Sequence, residues 1–229
     1  LHLEPVDNDR LHSFINFLAE APEKYKSLYI IGDLFEYWVG DDDPHPINEL
    51  IQNKIKNATS QGLSIYFIHG NRDFLLGSEF EKNTGLRIIN DMTVIKDSNI
   101  SLMVAHGDSF CTDDIEYQAL KKSLRSEEWK KDFLQKPIAE RIAFADDLRA
   151  KSAESSSNKA ENIMDVNKSY VAEVIEKHKI DFLIHGHTHR PAIHKLDNGS
   201  SRVVLGSWED EGWVAEYSKG NIELKSFTI

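Results

Sequence analysis

Three histidines at alternate positions follow a short apolar segment and offer metal-binding chemistry. His185, His187 and His189 come directly after the apolar run 182–184, which predicts a buried strand. A histidine inside a protein core usually occurs singly, whereas neutral imidazoles gathered at a strand end commonly bind metal ions. This segment therefore predicts a metal site, and the remaining ligands must come from other parts of the chain.

Three more apolar runs that predict strands each end beside a glycine and a potential ligand, namely Asp33, Asn71 and His106. Ligands of α/β proteins bind beyond the carboxyl ends of the strands. We therefore expect these side chains to converge with the histidine cluster. His2, near the start of the chain, adds a further imidazole.

This set of side chains indicates phosphoryl-transfer chemistry. A hard divalent cation that activates water binds well to a mixture of carboxylate, amide oxygen and imidazole ligands. Asp33 is the natural bridge between two such cations, because one carboxylate can bind both. Two-metal sites suit phosphoryl transfer because they hold both the attacking and the departing oxygen.

The rest of the chain must supply the elements that position these residues. Apolar side chains at helical spacing predict helices over residues 8–20, 47–60, 78–84, 115–150 (with breaks near Ser126 and Pro137) and 162–178. Shorter apolar runs predict strands over residues 28–31, 65–68, 93–96, 100–105, 182–184, 192–196, 201–205, 212–217 and 221–227. The small, polar segment 151–160 predicts a loop.

The order of these elements predicts one α/β domain over residues 1–229, with a two-sheet β-sandwich flanked by helices. The all-helical block 113–165 is predicted to be an insertion within that domain, and it is called the helical insertion below. Its residues 115–160 carry a net charge of +2, while the rest of the chain carries −13. The two parts therefore differ in composition as well as in predicted structure.

Composition and charge argue against several classes of protein. The chain has 229 residues, 40% of them hydrophobic, which is enough for one sizeable core. No apolar run approaches the ~20 residues that cross a bilayer, and the start of the chain shows no signal peptide. The single cysteine, Cys111, excludes an internal disulfide framework and favours a reducing cytoplasm. The net charge of −11 argues against nucleic-acid binding, and no obligate protein partner is indicated.

Four sequence blocks together resemble the calcineurin-like metallophosphoesterases. They are GDLFEYWVGDD (32–42), HGNRDF (69–74), AHGDSFCTDD (105–114) and HGHTHRP (185–191). Each block alone is weakly specific, but all four in this order are highly specific, and they span nearly the whole chain. GDLFEYWVGDDDP, IMDVN, HGHTHRPAIH and VVLGSW are further similar to one branch of this family, the UDP-2,3-diacylglucosamine pyrophosphohydrolases of lipid A biosynthesis.

The resemblance implies an enzyme that cleaves UDP-2,3-diacylglucosamine at its pyrophosphate, giving 2,3-diacylglucosamine 1-phosphate (lipid X) and UMP. It implies two Mn²⁺ ions per chain, with Mg²⁺ as the alternative. It also implies a peripheral position on the cytoplasmic side of the bacterial inner membrane. Two other functions stay open: a metallophosphoesterase with a soluble substrate, and a metal-bound scaffold without catalysis.

The resemblance also assigns individual residues. One metal ion would bind to His2, Asp33 and His189. The other would bind to Asp33, Asn71, His106 and His187. Catalytic roles fall on Asp33, Asn71 and His106. Substrate contacts would come from Asn71, Arg72, Asp114, Ser152, Ser156, Lys159 and His187, with Arg149 as a further candidate.

Two positions depart from the family pattern. The family has an aspartate two residues before the first histidine, but this sequence begins at Leu1, and we expect further residues to precede it in the natural protein. Ser156 stands where the family usually has asparagine, so its contact with substrate stays open. His185 is predicted to support the site without binding metal, and residues 41–43 predict a solvated acidic turn.

The helical insertion has two predicted roles. Basic side chains around Trp129 and Phe133 are typical of a protein surface that contacts anionic lipid, and they are Lys121, Lys122, Lys130 and Lys131. A groove for acyl chains would be formed by Leu120, Leu124, Phe133, Ile138, Ile142, Phe144 and Leu148. The alternative is a solvated helix surface over an ordinary apolar core.

Overall fold

The computed structural model describes residues 1–158, 163 and 165–229, and for residues 153–158 it describes the backbone alone. Its helices are α1 (Asp9–Lys24), α2 (Pro46–Ser60), α3 (Ser78–Thr84), α4 (Ile115–Leu124), α5 (Glu127–Leu134), α6 (Ile138–Asn158) and α7 (Lys168–His178). Within the described residues, none of the helices combines the length and the apolar character that crossing a membrane requires.

In the part of the chain that the structure describes, the strands form three sheets. They are β1 (Ser27–Ile30), β2 (Ser64–Phe67), β3 (Arg87–Ile88), β4 (Thr93–Asp97), β5 (Ile100–Ala105), β6 (Phe182–His185), β7 (Ala192–Lys195), β8 (Ser201–Val204), β9 (Glu211–Ser218) and β10 (Asn221–Thr228). The first sheet is parallel, in the order β1-β2-β3, and the second is mixed, in the order β4-β5-β6-β8-β7. The hairpin β9-β10 forms a separate two-stranded sheet.

Side chains that alternate along the strands build a four-layer sandwich. Ile30 and Phe67 of the first sheet pack into the core shared with α1 and α2, while the adjacent Ile31 and Ile68 pack against the second sheet. On the second sheet, Leu183 turns away from the first sheet toward α7. The predicted two-sheet sandwich flanked by helices is confirmed, with the β9-β10 hairpin added to it.

One predicted boundary in the helical insertion is wrong, and the helix predicted after it is interrupted. Residues 151–158 continue α6, although their small polar side chains predict a loop. An ion pair of 2.6 Å between Lys151 and Asp147, one helical turn apart, favours this extension. The helix predicted over residues 162–178 is not continuous, because residues 165–167 are not helical, while residues 162 and 164 lie outside the described part of the chain. Helix α7 begins at Lys168, where the Asn167 side chain accepts the Tyr170 N–H at 2.9 Å and caps it.

Strand register brings the predicted ligands to one edge of the sandwich. In the parallel pair β1-β2, Ile30 is opposite Phe67, so the turns that carry Asp33 and Asn71 begin side by side. In the parallel pair β5-β6, the last residues of both strands are likewise opposite each other, and the next residue after β5 is His106. The carboxyl ends of all four strands therefore deliver their polar residues to the same region.

Candidate active site

Asp33, His106 and His187 form the centre of the site. One potential ligand atom from each lies within 4.8 Å of the other two. The side-chain oxygen of Asn71 lies 3.0 Å from His106 Nε2 and 3.1 Å from His187 Nδ1. A carboxylate, an amide oxygen and two imidazoles thus converge, and they are the four residues that the family resemblance assigns to one metal ion.

His2 and His189 lie on the other side of Asp33. The Nε2 atom of His2 is 3.6 Å from Asp33 Oδ2 and 3.4 Å from His189 Nε2. The Nε2 atom of His106 is 3.7 Å from the same carboxylate oxygen. Asp33 therefore lies between two groups of imidazoles, which is where a bridging carboxylate must lie.

The chemistry of this donor set fits a divalent metal ion. His2 Nδ1 is 2.8 Å from the Glu36 carboxylate, and His106 Nδ1 is 2.9 Å from the Ile31 carbonyl oxygen. Since each acceptor favours the ring proton on Nδ1, the Nε2 lone pairs face Asp33 and other acceptors. Electron-rich atoms that point at one another repel, and a divalent metal ion bound between them would offset that repulsion.

The pKa values of two of the imidazoles, His187 and His189, agree with this role. Burial, with a smaller contribution from the nearby His106, lowers the pKa of His187 to about 4. Burial and the neighbouring His2 lower the pKa of His189 to about 4 as well. Both rings are therefore neutral near pH 7, as metal coordination requires. Burial disfavours a charged His106, but Asp33 and Asp108 outweigh it, and the pKa of His106 is raised.

Strained backbone accompanies the candidate ligands. His2, Asp33, His187 and His189 all have left-handed φ values, between +52° and +64°. Each such residue costs roughly 1–2 kcal/mol relative to the right-handed region. Strain of this kind persists where the surrounding structure enforces it, and it is concentrated at functional sites. At Gly70, a Cβ atom would collide with the Asp33 carboxylate, so this close approach of two turns requires glycine.

Asp73 is a fully buried carboxylate that sequence reasoning did not single out. It accepts the backbone N–H of Leu34 at 2.7 Å and of Gly70 at 2.9 Å, and so ties the turns after β1 and β2 together. Burial and the charge of Asp33 raise its pKa to about 6. Burial also opposes charge on Asp33, but His106 and His2 outweigh it and lower that pKa to about 2. The aspartate of the HGNRDF block is Asp73 itself, and this motif is the sequence signal that could have identified it.

Asp108 is a second buried carboxylate, and it connects the site to the helical insertion. It accepts the Tyr117 hydroxyl at 2.7 Å and pairs with Lys121 at 2.8 Å and Arg125 at 3.2 Å, all three from α4 or its end. Arg125 also donates to the Gly70 carbonyl at 2.8 Å. Burial opposes its charge, but His106, Arg125 and Lys121 hold the pKa of Asp108 well below its usual range.

This geometry corrects part of the expected lipid-facing surface. Lys121 forms an ion pair with Asp108 and donates a hydrogen bond to the Ser109 hydroxyl at 2.7 Å, so its side chain does not point away from the protein. Trp129 stacks on Phe133 with ring centroids 4.5 Å apart, and both rings line the cleft described below. Lys122 and Lys131 remain exposed.

A cleft of about 780 Å³, counting its open mouth, runs from the ligand cluster along the helical insertion. Asn71 and Arg72 line it at the end nearer the ligand cluster, and Arg149 and Ser152 of α6 line it as well. Its apolar wall includes Phe74, Leu120, Leu124, Trp129, Phe133, Phe144 and Leu148. Five of the seven side chains expected in an acyl groove are in this wall, while Ile138 and Ile142 do not line it.

The remaining predicted substrate residues occupy different places. Arg72 Nε is buried and has no hydrogen-bond partner among the described residues, so it is free to donate to a phosphate oxygen. Asp114 caps α4, where its side chain accepts the Tyr117 N–H at 3.1 Å. The Ser156 side chain and Lys159 lie outside the described residues.

The acidic turn at residues 41–43 is structural and not simply solvated. Asp41 accepts the N–H groups of Gly77 at 2.9 Å and Phe80 at 3.0 Å, at the start of α3. Asp42 pairs with Arg141 of α6 through bonds of 2.8 and 2.5 Å. Asp43 accepts the Asn48 amide at 3.0 Å. The three carboxylates therefore bind three different elements.

His185 lies apart from the ligand cluster, as expected. Burial lowers its pKa to about 3, so the ring is neutral. Its Nε2 atom is 3.2 Å from the guanidinium of Arg202, which donates to it. The ring also packs edge-on against Phe110. His185 thus supports the strand end that carries His187.

Comparison with known proteins defines the class. The model of the calcineurin-like phosphoesterase family matches residues 1–191 of this chain. The chain therefore belongs to the calcineurin-like phosphoesterases. Among solved structures, a dimetal phosphatase from Danio rerio aligns over 95% of this chain and 85% of that chain, with 12% identity and a TM-score of 0.48.

Curated relatives narrow the family. UDP-2,3-diacylglucosamine hydrolase of Escherichia coli O7:K1 is 41% identical over 99% of this chain and 96% of its own length. The proteins of the same name from Escherichia fergusonii and Salmonella paratyphi B are 42% and 40% identical, and they cover 99% and 100% of this chain. Within the calcineurin-like phosphoesterases, the chain thus belongs to the UDP-2,3-diacylglucosamine hydrolase family.

Proposed function

We propose that this protein hydrolyses UDP-2,3-diacylglucosamine to 2,3-diacylglucosamine 1-phosphate and UMP. The observation that carries the proposal is the cleft, which joins a metal-ligand cluster at one end to an apolar wall at the other. A sugar nucleotide with two acyl chains has the same two parts. Each acyl CH₂ that the wall removes from water contributes about 0.8 kcal/mol to binding.

The proposed cofactor is a pair of Mn²⁺ ions, one bound by His2, Asp33 and His189 and the other by Asp33, Asn71, His106 and His187. When bound, such ions activate water and neutralise charge on phosphoryl oxygens. The proportion of imidazole in the donor set favours Mn²⁺ over Mg²⁺. Asp33 would serve both ions, so binding of the pair would depend on it.

The proposed reaction is attack of water on the α-phosphorus of the UDP group. The new bond joins the water oxygen to that phosphorus, and the bond to the bridging oxygen breaks. UMP leaves with the new oxygen, and the sugar keeps its own phosphate. Arg72, whose Nε is unpartnered, orients the phosphate and balances the charge on its oxygens.

The helical insertion is proposed to act as a lid that also contacts the lipid surface. Large apolar side chains with more than a third of their surface exposed include Ile115, Leu120, Leu134 and Phe144 of this insertion. The exposed Lys122 and Lys131 suit anionic headgroups. We therefore place the protein peripherally on the cytoplasmic side of the inner membrane, with the cleft open to the substrate.

The direct test is release of UMP from UDP-2,3-diacylglucosamine by protein loaded with Mn²⁺, with metal content measured on the same sample. Two comparison substrates separate the requirements: UDP-N-acetylglucosamine, which lacks the acyl chains, and bis(p-nitrophenyl) phosphate, a soluble diester. We expect the diacylated substrate to have the highest kcat/KM by at least about tenfold, equivalent to ~1.4 kcal/mol of differential binding.

Faster turnover of the soluble diester would instead identify a phosphodiesterase of broader specificity. Metal binding without hydrolysis of any of the three would favour a scaffold. Either result would reject the proposed activity.

A further inference from the structure

Glu36 contacts three side chains of the candidate site, namely His2, Arg149 and Arg72. It lies on the turn after β1, and its backbone N–H donates to the Leu3 carbonyl at 2.9 Å. The Leu3 segment also pairs with Phe35 in a parallel bridge. These backbone contacts fix Glu36 beside the segment that carries His2, and its side chain is only 14% exposed.

One carboxylate oxygen of Glu36 orients His2. The Oε2 atom accepts from His2 Nδ1 at 2.8 Å. The opposite ring atom, Nε2, then faces Asp33 and His189. A carboxylate that accepts the second N–H of a metal-binding histidine fixes the tautomer and the ring orientation, and it makes the ligand nitrogen more basic.

The other oxygen holds cations of the cleft. The Oε1 atom accepts from Arg149 Nε at 2.8 Å and lies 3.9 Å from Arg72 Nη1. Arg149 comes from α6 and therefore brings the helical insertion to the same carboxylate. Arg149 also pairs with Asp146 of the same helix at 3.5 Å. Both guanidinium groups line the cleft, where a phosphate group of the substrate would bind.

We propose that Glu36 is a positioning residue with two separable tasks: it orients His2 toward one metal ion, and it places Arg149 and Arg72 for the substrate phosphate. The inference rests on the proposed two-metal function. It predicts that loss of the Glu36 carboxylate weakens one metal site and the substrate site together. Loss of Arg149 affects the substrate site alone.

The test uses the full-length metal-free protein and measures Mn²⁺ binding by calorimetry, followed by kinetics at saturating Mn²⁺. For Glu36→Ala we expect one of two Mn²⁺ ions to bind about 10- to 100-fold more weakly, with the other unchanged, and KM to rise. For Arg149→Ala we expect both Mn²⁺ affinities to stay within about twofold of wild type, with KM raised. Glu36→Gln, which keeps the side-chain size, should also weaken one Mn²⁺ site.

Glu216 offers a matched control, because its carboxylate also binds two donors, Tyr25 and Lys225, but far from the ligand cluster. Glu216→Ala should leave Mn²⁺ binding and kinetics at wild-type values. Wild-type affinity for both ions in Glu36→Ala and Glu36→Gln would overturn the inference. Failure of the wild-type protein to bind two ions would instead reject the proposed two-metal function.

Discussion

The sandwich and the helical insertion are held in place by different forces. In the sandwich, apolar side chains alternate between cores on both faces of the sheets, and most candidate ligands follow the strand ends. The insertion is fastened to the sandwich by cations: Lys121 and Arg125 to Asp108, Arg141 to Asp42, and Arg149 to Glu36. Its net positive charge therefore has partners on the acidic sandwich.

The difference explains how the insertion can offer apolar surface to a ligand. An element that docks through its apolar side chains must bury them in the contact. The ionic contacts leave Leu120, Phe144 and Leu148 to line the cleft. Apolar packing also contributes to the attachment, because Phe133 and Leu124 of the insertion are part of the main hydrophobic core. The sandwich thus fixes a rigid ligand cluster, while the insertion supplies a lining that suits an apolar substrate.

The largest effect is expected where the sandwich alone provides the chemistry. Asp33→Asn should lower kcat by about 1,000-fold or more, ~4 kcal/mol in the transition state, because both proposed ions lose their shared charge. Asparagine tolerates the left-handed backbone at this position. The melting temperature of the metal-free protein should therefore stay close to wild type.

UMP release, metal content and thermal unfolding measure this variant. Asp97→Asn is the control, because Asp97 is an exposed carboxylate bonded to Tyr217, away from the ligand cluster. Activity near wild type in Asp33→Asn would contradict the assignment of the chemistry to the sandwich.

The second effect tests the insertion as a lining for acyl chains. Leu120→Asp places a charge in the cleft wall and should raise KM for the diacylated substrate about 10- to 100-fold, which corresponds to losing two or three buried CH₂ groups at ~0.8 kcal/mol each. Steady-state kinetics with UDP-2,3-diacylglucosamine measure it. Hydrolysis of a substrate without acyl chains should change little.

Ile193→Asp is the control for this change. Ile193 on β7 is 40% exposed and Leu120 is 44% exposed, so both substitutions alter a surface apolar residue. Ile193 does not line the cleft. An equal rise in KM for both variants would show that the helical insertion has no special role in binding the acyl chains.

A smaller effect tests the ionic attachment itself. The Arg141 side chain is 2% exposed and pairs with Asp42, and it also donates to the Val39 carbonyl at 2.7 Å. Asp42→Ala leaves this guanidinium without its carboxylate and should lower the free energy of unfolding by about 1–2 kcal/mol. Urea denaturation measures it. Arg141→Met, which fills the space with an apolar side chain, should lower the free energy of unfolding by less than Asp42→Ala does. A larger loss for Arg141→Met would indicate that the insertion is attached by packing.

The smallest effect is the pH dependence of that attachment. The hydrogen bond from Arg141 lowers the pKa of Asp42, against the effect of partial burial. A carboxylate whose folded pKa is below its unfolded value stabilises the protein above about pH 4 and loses that contribution as pH falls further. The stability difference between wild type and Asp42→Ala should therefore shrink from about pH 6 to about pH 3, and a constant difference would contradict the ionic account.

The sequence by itself determined the fold class and the candidate ligands. Strands that end in a glycine and a polar residue recur through the chain, and parallel strands deliver their carboxyl ends to one edge. Asp33, Asn71, His106, His187 and His189 were therefore predictable as one cluster. Each is a local signal, because strand period and motif spacing are properties of neighbouring residues. The predicted assignment of metal ions to them remains a proposal.

Only the tertiary structure decided which charges meet. Glu36, Asp73 and Asp108 were not singled out in the sequence, because their partners lie on elements far along the chain and charge alone does not identify a partner. For the same reason, the sequence predicted that residues 41–43 form a solvated turn and that Lys121 faces lipid, whereas both make ion pairs or hydrogen bonds within the protein. Such pairs form once folding has buried one group beside the other. Local patterns determine which residues face a core, whereas the pairing of buried charges depends on the complete fold.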